Sequence, residues 1–210
     1  MDEIGTAEAQ FVAAVVDEDL LGEMVGMVFV EGVDPATALT RFAARPETVK
    51  QRSLDEFLVL AGEIVGHLEP RPIAFATALA GWTMVVGTYE VAEDDRVVAV
   101  SRGCRAVGVM RHDYAASHSF SYAVDGALIT EFPPEAVWRR WGDDPDRLAA
   151  SMAAVGLPLD ADADADDGGP DRPVAAALHL AARIVGRLPA LADLAGPLLT
   201  ADLDLNRMTR

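Results

Sequence analysis

The stretch 111–132, RHDYAASHSFSYAVDGALITEF, decides what kind of sheet this chain builds. Two runs rich in apolar and aromatic residues meet at Asp125-Gly126, a pair that accepts the positive φ angles of a type I′ hairpin turn. We therefore predict antiparallel strands over 118–124 and 127–132, with Tyr122 and Ile129 on the face that meets the core. The pairs predicted across the turn are Val124 with Ala127, Ala123 with Leu128, Tyr122 with Ile129, Ser121 with Thr130, and Phe120 with Glu131.

Helical and strand periods alternate along the rest of the chain. The clearest helix starts in SLDEFLVLAGEIVG, where Ser53 and Glu56 form a capping box and apolar residues then recur at helical spacing. Asp34 and Pro35 start another helix, because aspartate caps exposed N–H groups and proline suits the first helical position. Further helices are predicted at 8–16, 94–101, 134–141, 144–155 and 174–188, and further strands at 23–31, 73–79, 82–89, 106–111 and 198–205.

Helices that precede and follow a mostly antiparallel sheet are the organisation of an α+β fold. We predict a single α+β domain over residues 1–210, with a mainly antiparallel sheet of about five strands packed against flanking helices. Residues 157–172 are expected to form an acidic flexible loop. Residues 173–202 are expected to hold a C-terminal helix and a short strand that dock on the core.

The charge of the chain limits its partners. The formal net charge is −17 at pH 7, and the segment 143–171 alone contains nine Asp and one Arg. Such a surface repels phosphate backbones and anionic lipid headgroups, so we exclude nonspecific binding to nucleic acid or membrane surfaces as the main role. Lys50 is the only lysine, against sixteen arginines, which is a bias typical of a GC-rich genome.

Cysteine usage and hydropathy indicate the compartment. Cys104 is the only cysteine, so no intrachain disulfide can form, which fits a reducing environment. The N-terminal run MDEIGTAEAQ lacks the basic start and apolar core of a signal peptide, and we expect a cytoplasmic protein. Residues 72–89 carry no charge, but two strands joined at Ala80-Gly81 explain them better than a membrane span, which needs ~20 mostly apolar residues.

The strongest candidates for chemistry are His112, Asp113 and His118. Imidazole and carboxylate groups bind zinc or iron, and a histidine beside a carboxylate can act as a general base. Nothing in the sequence identifies a third ligand, so an exposed loop joining two strands is the simpler interpretation. Cys104 lies between two arginines, which favours a reactive thiolate, although a lone cysteine is more often a small buried hydrophobe. We therefore predict no catalytic residue, no metal site and no cofactor.

Three other motifs give weaker signals. The acidic run DADADADDGG lacks the glycine and the bidentate glutamate at the positions that an EF-hand loop needs. The run SRGCRAVG has glycines, but not at the spacing of a phosphate-binding loop. In EAVWRRWG, Trp138, Arg139 and Trp141 are candidate interface residues, because Trp and Arg dominate binding energetics. Core packing is the alternative explanation for the two tryptophans.

Ordered blocks along the chain resemble an uncharacterised actinobacterial family, domain-of-unknown-function family 6461. The blocks are GWTMVV, VSRGCRAVGV, FSYAVDGALITEF, WGDDPDRLAASMAAVGL, AAALHLAARIVG and GPLLTADL. The resemblance covers nearly the whole chain and implies a bacterial cytosolic protein, but it supplies no activity, cofactor or catalytic residue. It also implies threonine at the position of Cys104 and an asparagine-containing loop near His112 and Asp113, which weakens any claim of shared chemistry there.

These observations favour a non-enzymatic cytosolic protein that binds another protein, as a regulatory or immunity-like partner of a basic protein. The alternative is a small hydrolase or transferase, with or without a metal, that uses the loop of His112, Asp113 and His118. A third hypothesis is a small-ligand sensor with a pocket between the sheet and the helices.

Overall fold

The computed structural model of the protein describes residues 5–65, 72–160 and 172–208. Its centre is one antiparallel sheet of eight strands in the order β2-β8-β3-β4-β1-β5-β6-β7. The predicted α+β class is confirmed, whereas the predicted size of about five strands is wrong. The strands are β1 (Met24–Glu31), β2 (Lys50–Arg52), β3 (Ile73–Leu79), β4 (Trp82–Thr88), β5 (Arg105–His112), β6 (Ser119–Val124), β7 (Ala127–Phe132) and β8 (Leu198–Asp202).

Seven of the eight strands correspond to predicted strands and only β2 was not predicted, so the estimate of about five was lower than the number of strands that the sequence indicates. β8 comes from the end of the chain and pairs with β3, so the short strand predicted in LLTADLDL is confirmed. β2 is Lys-Gln-Arg and pairs with β8 at the edge of the sheet. A three-residue polar strand has no apolar alternation, so the period of the sequence carries no signal for it.

Seven helices lie around the sheet in the described part of the chain. Two of them begin where local capping predicted. The Asp34 carboxylate accepts the N–H groups of Ala36 and Thr37, both at 3.0 Å, and Ser53 and Glu56 exchange hydrogen bonds as a capping box. The helices are α1 (Thr6–Val16), α2 (Pro35–Arg41), α3 (Leu54–Val65), α4 (Asp94–Val100), α5 (Ala149–Ala154), α6 (Pro173–Val185) and α7 (Leu191–Leu194).

The helix predicted at 134–141 is wrong, and the one predicted at 144–155 begins late. Residues Val137–Arg139 form a single 3-10 turn, and α5 starts only at Ala149. The reason is the edge of the sheet, where Trp141 exchanges two backbone hydrogen bonds with Glu131 at 2.8 and 2.9 Å. These bonds require extended backbone at Trp141, so tertiary pairing overrides the local Asp-Pro signal for a helix start.

The helices cover both faces of the sheet. The first face carries Met27 and Phe29, and α1, α3, α6 and α7 pack on it through side chains such as Phe11, Phe57 and Leu178. The second face carries Val28 and Val30 and meets α2, α4 and the 3-10 turn Tyr89–Ala92. The result is a central sheet between two apolar layers. Because apolar side chains offer no hydrogen-bond partners, the backbone N–H and C=O groups of the strands pair with one another within the sheet.

The hairpin turn is confirmed, but only part of the predicted register is. Asp125 and Gly126 have φ angles of 49° and 80°, as a type I′ turn requires. Val124 pairs with Ala127 and Ala123 with Leu128, as predicted. A bulge then adds one residue to β7, so the three remaining predicted pairs are wrong. The observed pairs are Tyr122 with Thr130, Ser121 with Glu131, and Phe120 with Phe132.

Three glycines on the second face let the segment 89–100 approach the sheet closely. A Cβ on Gly26 would lie 2.7 Å from a Val91 methyl, one on Gly87 3.1 Å from the other Val91 methyl, and one on Gly108 2.6 Å from a Val97 methyl. Because Val91 and Val97 are fully buried, they have little room to retreat. The glycines therefore fix the distance between the sheet and the layer that holds α4.

Gly108→Ala tests this close contact. We expect the free energy of unfolding to fall by ~1–3 kcal/mol, because the added methyl overpacks against Val97. Gly62→Ala in α3 is the matched control, since a Cβ there meets no atom within 4 Å, and it should stabilise by ~0.5–1 kcal/mol. Urea unfolding measures both, and adding Val97→Ala to Gly108→Ala should recover part of the loss. Equal effects of the two single alanine substitutions would contradict the argument.

Candidate functional site

The loop between β5 and β6 holds both predicted histidines in structural contacts. The Nδ1 atom of His112 accepts the N–H of Ala115 at 3.2 Å, and Nδ1 of His118 accepts the N–H of His112 at 3.2 Å. The His112 ring also packs edge-on against Tyr89, with ring centroids 4.4 Å apart. One nitrogen of each imidazole is therefore used to hold the loop, which leaves only Nε2 for any other role.

Asp113 is engaged by Arg111, whose side chain is only 8% exposed. The Arg111 guanidinium bonds both oxygens of Asp113, donates to Asp19 at 2.7 Å and donates to the Val15 carbonyl at 2.6 Å. Burial alone would lower the pKa of Arg111, but its hydrogen bonds to Asp113 and Asp19 outweigh burial and raise that pKa. The arginine thus ties the end of β5 to the end of α1, and it neutralises Asp113.

The predicted chemical residues do not converge. His118 Nε2 lies 3.9 Å from Asp113 Oδ1, too far for a direct hydrogen bond. Cys104 precedes β5 while His112 ends it, so the strand separates them by roughly 25 Å. The Cys104 sulfur instead accepts a hydrogen bond from Arg41 at 3.0 Å. Within residues 5–65, 72–160 and 172–208, no group of three His, Cys, Asp or Glu side chains is placed to hold a metal ion.

The candidate interface residues lie together near the edge of the sheet. Trp141 is 46% exposed, Arg139 is exposed and Trp138 is half-buried. Trp138 lines an open groove of about 360 Å³ beside Arg140, whose guanidinium bonds the Asp146 carboxylate at 2.7 Å and the Leu159 carbonyl at 2.9 Å. We call this region the Trp141 surface. Its exposed charged and aromatic residues are Glu135, Arg139, Trp141, Asp143, Asp144, Asp146, Arg147 and Asp160.

A buried carboxyl group lies directly behind the Trp141 surface. Glu131 is only 8% exposed, and its Oε2 atom has no hydrogen-bond partner among the described residues. Ser121, its cross-strand neighbour, is fully buried, and its hydroxyl also lacks a partner there. Burial raises the pKa of Glu131 to about 7; the charge of Asp94 adds to this, and a hydrogen bond from the Trp141 side chain opposes it.

Sequence reasoning missed Glu131 because the bulge is invisible in the sequence. In the predicted register Glu131 falls opposite Phe120, on the face that meets the core. The bulge moves it to the second face, opposite Ser121 and towards α4. One signal in the sequence could have revealed it. The predicted register assigns a charged side chain of the apolar strand ALITEF to the buried face, and charged residues are rarely buried.

The fold defines a class before any relative is considered: an eight-stranded antiparallel sheet between two helical layers, with a proton-binding carboxyl near one edge. The sequence model of the Family of unknown function (DUF6461) matches residues 12–188, and the chain belongs to this family. No curated protein and no solved structure matches the chain. Among the described residues, no helix is long and apolar enough to cross a membrane.

Arg111→Lys tests the tie between β5 and α1. We expect it to lower the free energy of unfolding by about 1–3 kcal/mol, because an ammonium cannot keep the bidentate contact with Asp113 and also reach Asp19 and the Val15 carbonyl. Arg139→Lys, at an exposed position, is the matched control and should change stability by less than ~0.5 kcal/mol. Chemical denaturation measures both, and indistinguishable midpoints would contradict this account of Arg111.

Glu131→Gln tests the buried carboxyl through pH. A pKa of about 7 in the folded protein lies above that of an unfolded glutamate, so this group's contribution is complete at low pH and is lost as pH rises towards 7. Stability should therefore fall by up to ~3 kcal/mol between the two pKa values. The glutamine variant should lack that fall and be the more stable protein at pH 8. Unfolding curves measured across this range decide the matter, and parallel curves for the two proteins would contradict the assignment.

Proposed function

We propose that the protein binds another protein, one with a basic surface, and acts as its regulatory or immunity-like partner. The observation that carries the proposal is Trp141, a large apolar side chain that is 46% exposed and is followed in the chain by the exposed carboxylates Asp143 and Asp144. Tryptophan is among the residue types that are enriched at binding hot spots.

Trp141 is also positioned in advance. Its backbone N–H and carbonyl both bond Glu131 in β7, so the indole projects from an ordered sheet edge. While these two bonds are made, the side chain loses less conformational freedom on binding than one on a free loop. This supports Trp141 as the anchor, with Trp138 and the groove of Arg140 and Asp146 beside it.

Charge supports a basic partner. The exposed carboxylates Asp143, Asp144 and Asp146 follow Trp141, and the sequence from 143 to 171 carries nine Asp against one Arg. An acidic region around an apolar anchor raises the rate at which a basic protein associates and disfavours acidic competitors. The overall charge of −17 acts in the same direction at longer range.

We further propose that this interaction takes place in the cytosol of an actinobacterium. The unpaired Cys104 fits a reducing compartment. The excess of arginine over lysine fits a GC-rich genome.

Trp141→Ala tests the anchor. A partner captured at low salt from the native lysate should bind the variant at least about tenfold more weakly, as loss of a hot-spot tryptophan does. Tyr114→Ala is the matched control, because Tyr114 is an 80% exposed aromatic outside the Trp141 surface, and it should bind normally. Dissociation constants of the purified pair at about 0.05 M and 0.5 M salt should also show weaker binding at high salt. A partner that binds the Trp141→Ala variant as tightly as the native protein would refute the proposal.

A further inference from the structure

The residues that follow Arg140 are held to the edge of the sheet by hydrogen bonds. We call residues 141–144 the edge segment. Besides the two bonds between Trp141 and Glu131, Asp143 and Asp144 donate to the carbonyls of Leu128 and Ile129 at 2.9 and 3.0 Å. Trp141, Asp143 and Asp144 are themselves exposed. Exposed edge bonds with little apolar burial belong to the least stable parts of a fold, so a small free energy suffices to move this segment.

The protonation state of Glu131 changes the free energy of docking the edge segment on β7. Glu131 is the residue of β7 that the edge segment pairs with, and its buried Oε2 has no hydrogen-bond partner among the described residues. Across the strand pair lies the Ser121 hydroxyl, which also lacks a partner among the described residues. From α4 the Asp94 carboxylate acts on Glu131 and disfavours a second negative charge.

The arginines of the neighbouring elements make their salt bridges elsewhere or are exposed, and the buried Nε of Arg96 has no hydrogen-bond partner among the described residues. Arg96, on α4, bonds the Glu90 carbonyl and the Glu93 carboxylate. Arg140 bonds Asp146, and Arg139 is exposed. The remaining charged groups on these elements are carboxylates: Asp95 on α4, and Asp143 and Asp144 on the edge segment. The salt bridges within the described part of the chain therefore leave Glu131 without a cation.

We infer that Glu131 is a proton-controlled switch: the protonated carboxyl keeps the edge segment docked on β7, and loss of the proton releases the segment and with it Trp141. The consequence for a partner rests on the proposed function, whereas the movement itself does not. Release lets water reach the carboxylate, which the docked arrangement denies it. The Trp141 side chain favours the ionised carboxylate, but burial and Asp94 outweigh it and raise the pKa of Glu131 above the ordinary glutamate value.

Tryptophan fluorescence of the isolated protein tests the switch. Trp138→Phe leaves Trp141 and the buried Trp82 as the only emitters, so a change of environment on titration reports Trp141. We expect the emission to shift towards that of a hydrated indole with a midpoint near pH 7, the pKa of Glu131. Adding Glu131→Gln should abolish the shift, and adding Asp94→Asn should move its midpoint to lower pH. A shift that survives Glu131→Gln, or no shift between about pH 5 and pH 9, overturns the inference.

Hydrogen exchange gives a second measurement that does not rely on fluorescence. At pH 8 the amides of Glu131, Asp143 and Asp144 should exchange at least about tenfold faster in the native protein than in Glu131→Gln, because ionisation of Glu131 favours opening of the edge segment. The amides that join β1 to β4 should exchange equally in both proteins, and they are the internal control. Equal rates at the three edge amides would count against release of the segment.

The two proposals fail separately. If the fluorescence titration depends on Glu131 but Trp141→Ala does not weaken partner binding, the proposed function is rejected and the switch is supported. If partner binding requires Trp141 but Glu131→Gln does not change the titration, the switch is rejected and the proposed function is supported. Where both hold, the dissociation constant of the pair should change between pH 6 and pH 8 in the native protein and not in Glu131→Gln.

Discussion

The structure depends on how closely residues 89–100 lie against the second face of the sheet. Gly26, Gly87 and Gly108 remove the Cβ atoms that would stand in the way, and the methyls of Val91 and Val97 occupy the space. Packed interiors have no slack to absorb an added carbon, so these contacts fix the position of the whole segment. Two of its residues then meet the two candidate sites: Tyr89 packs on His112, and Asp94 acts on Glu131. One packing constraint therefore sets the surroundings of both the histidine loop and the buried carboxyl.

Local signals in the sequence predicted local structure well. They failed where contacts with residues distant in sequence determine the backbone conformation. The Asp125-Gly126 turn and the caps at Asp34 and Ser53 were predictable, because each depends on residues within one turn of chain. The bulge in β7 was not, because its freed carbonyls are bonded by amides from 143–144, at 2.9 and 3.0 Å. Gly142 fits against the Ile129 carbonyl there, where a Cβ would lie 2.4 Å from the oxygen. Neither strand of the hairpin contains that information, so periodicity alone gives an unbroken register.

The same non-local effect decided the candidate site. Sequence reasoning chose His112, Asp113 and His118 by residue type, and the structure places them in one loop, but with their atoms bonded to Arg111 and to loop amides. Glu131 is the opposite case. Glutamate is a common residue type, but the buried environment of this carboxyl group is unusual. Among 34 acidic residues, what distinguishes a carboxyl is its burial and the charges beside it, and a net charge of −17 reports neither. Composition predicts the class of partner, whereas only the register of one bulged strand reveals a group that titrates near neutrality.

Trp141 joins these two properties in a single side chain. It lowers the pKa of the Glu131 carboxyl, and it is the exposed apolar group of the Trp141 surface. Binding and protonation that act on the same segment are reciprocally linked: if loss of the proton changes the affinity for a partner by some factor, the partner changes the proton affinity of Glu131 by that factor. On the proposed function, a partner that captures the released arrangement must therefore expel the proton from Glu131. A partner that captures the docked arrangement must retain it. The proton released or taken up on binding thus identifies which arrangement of the edge segment the partner recognises, without a structure of the complex.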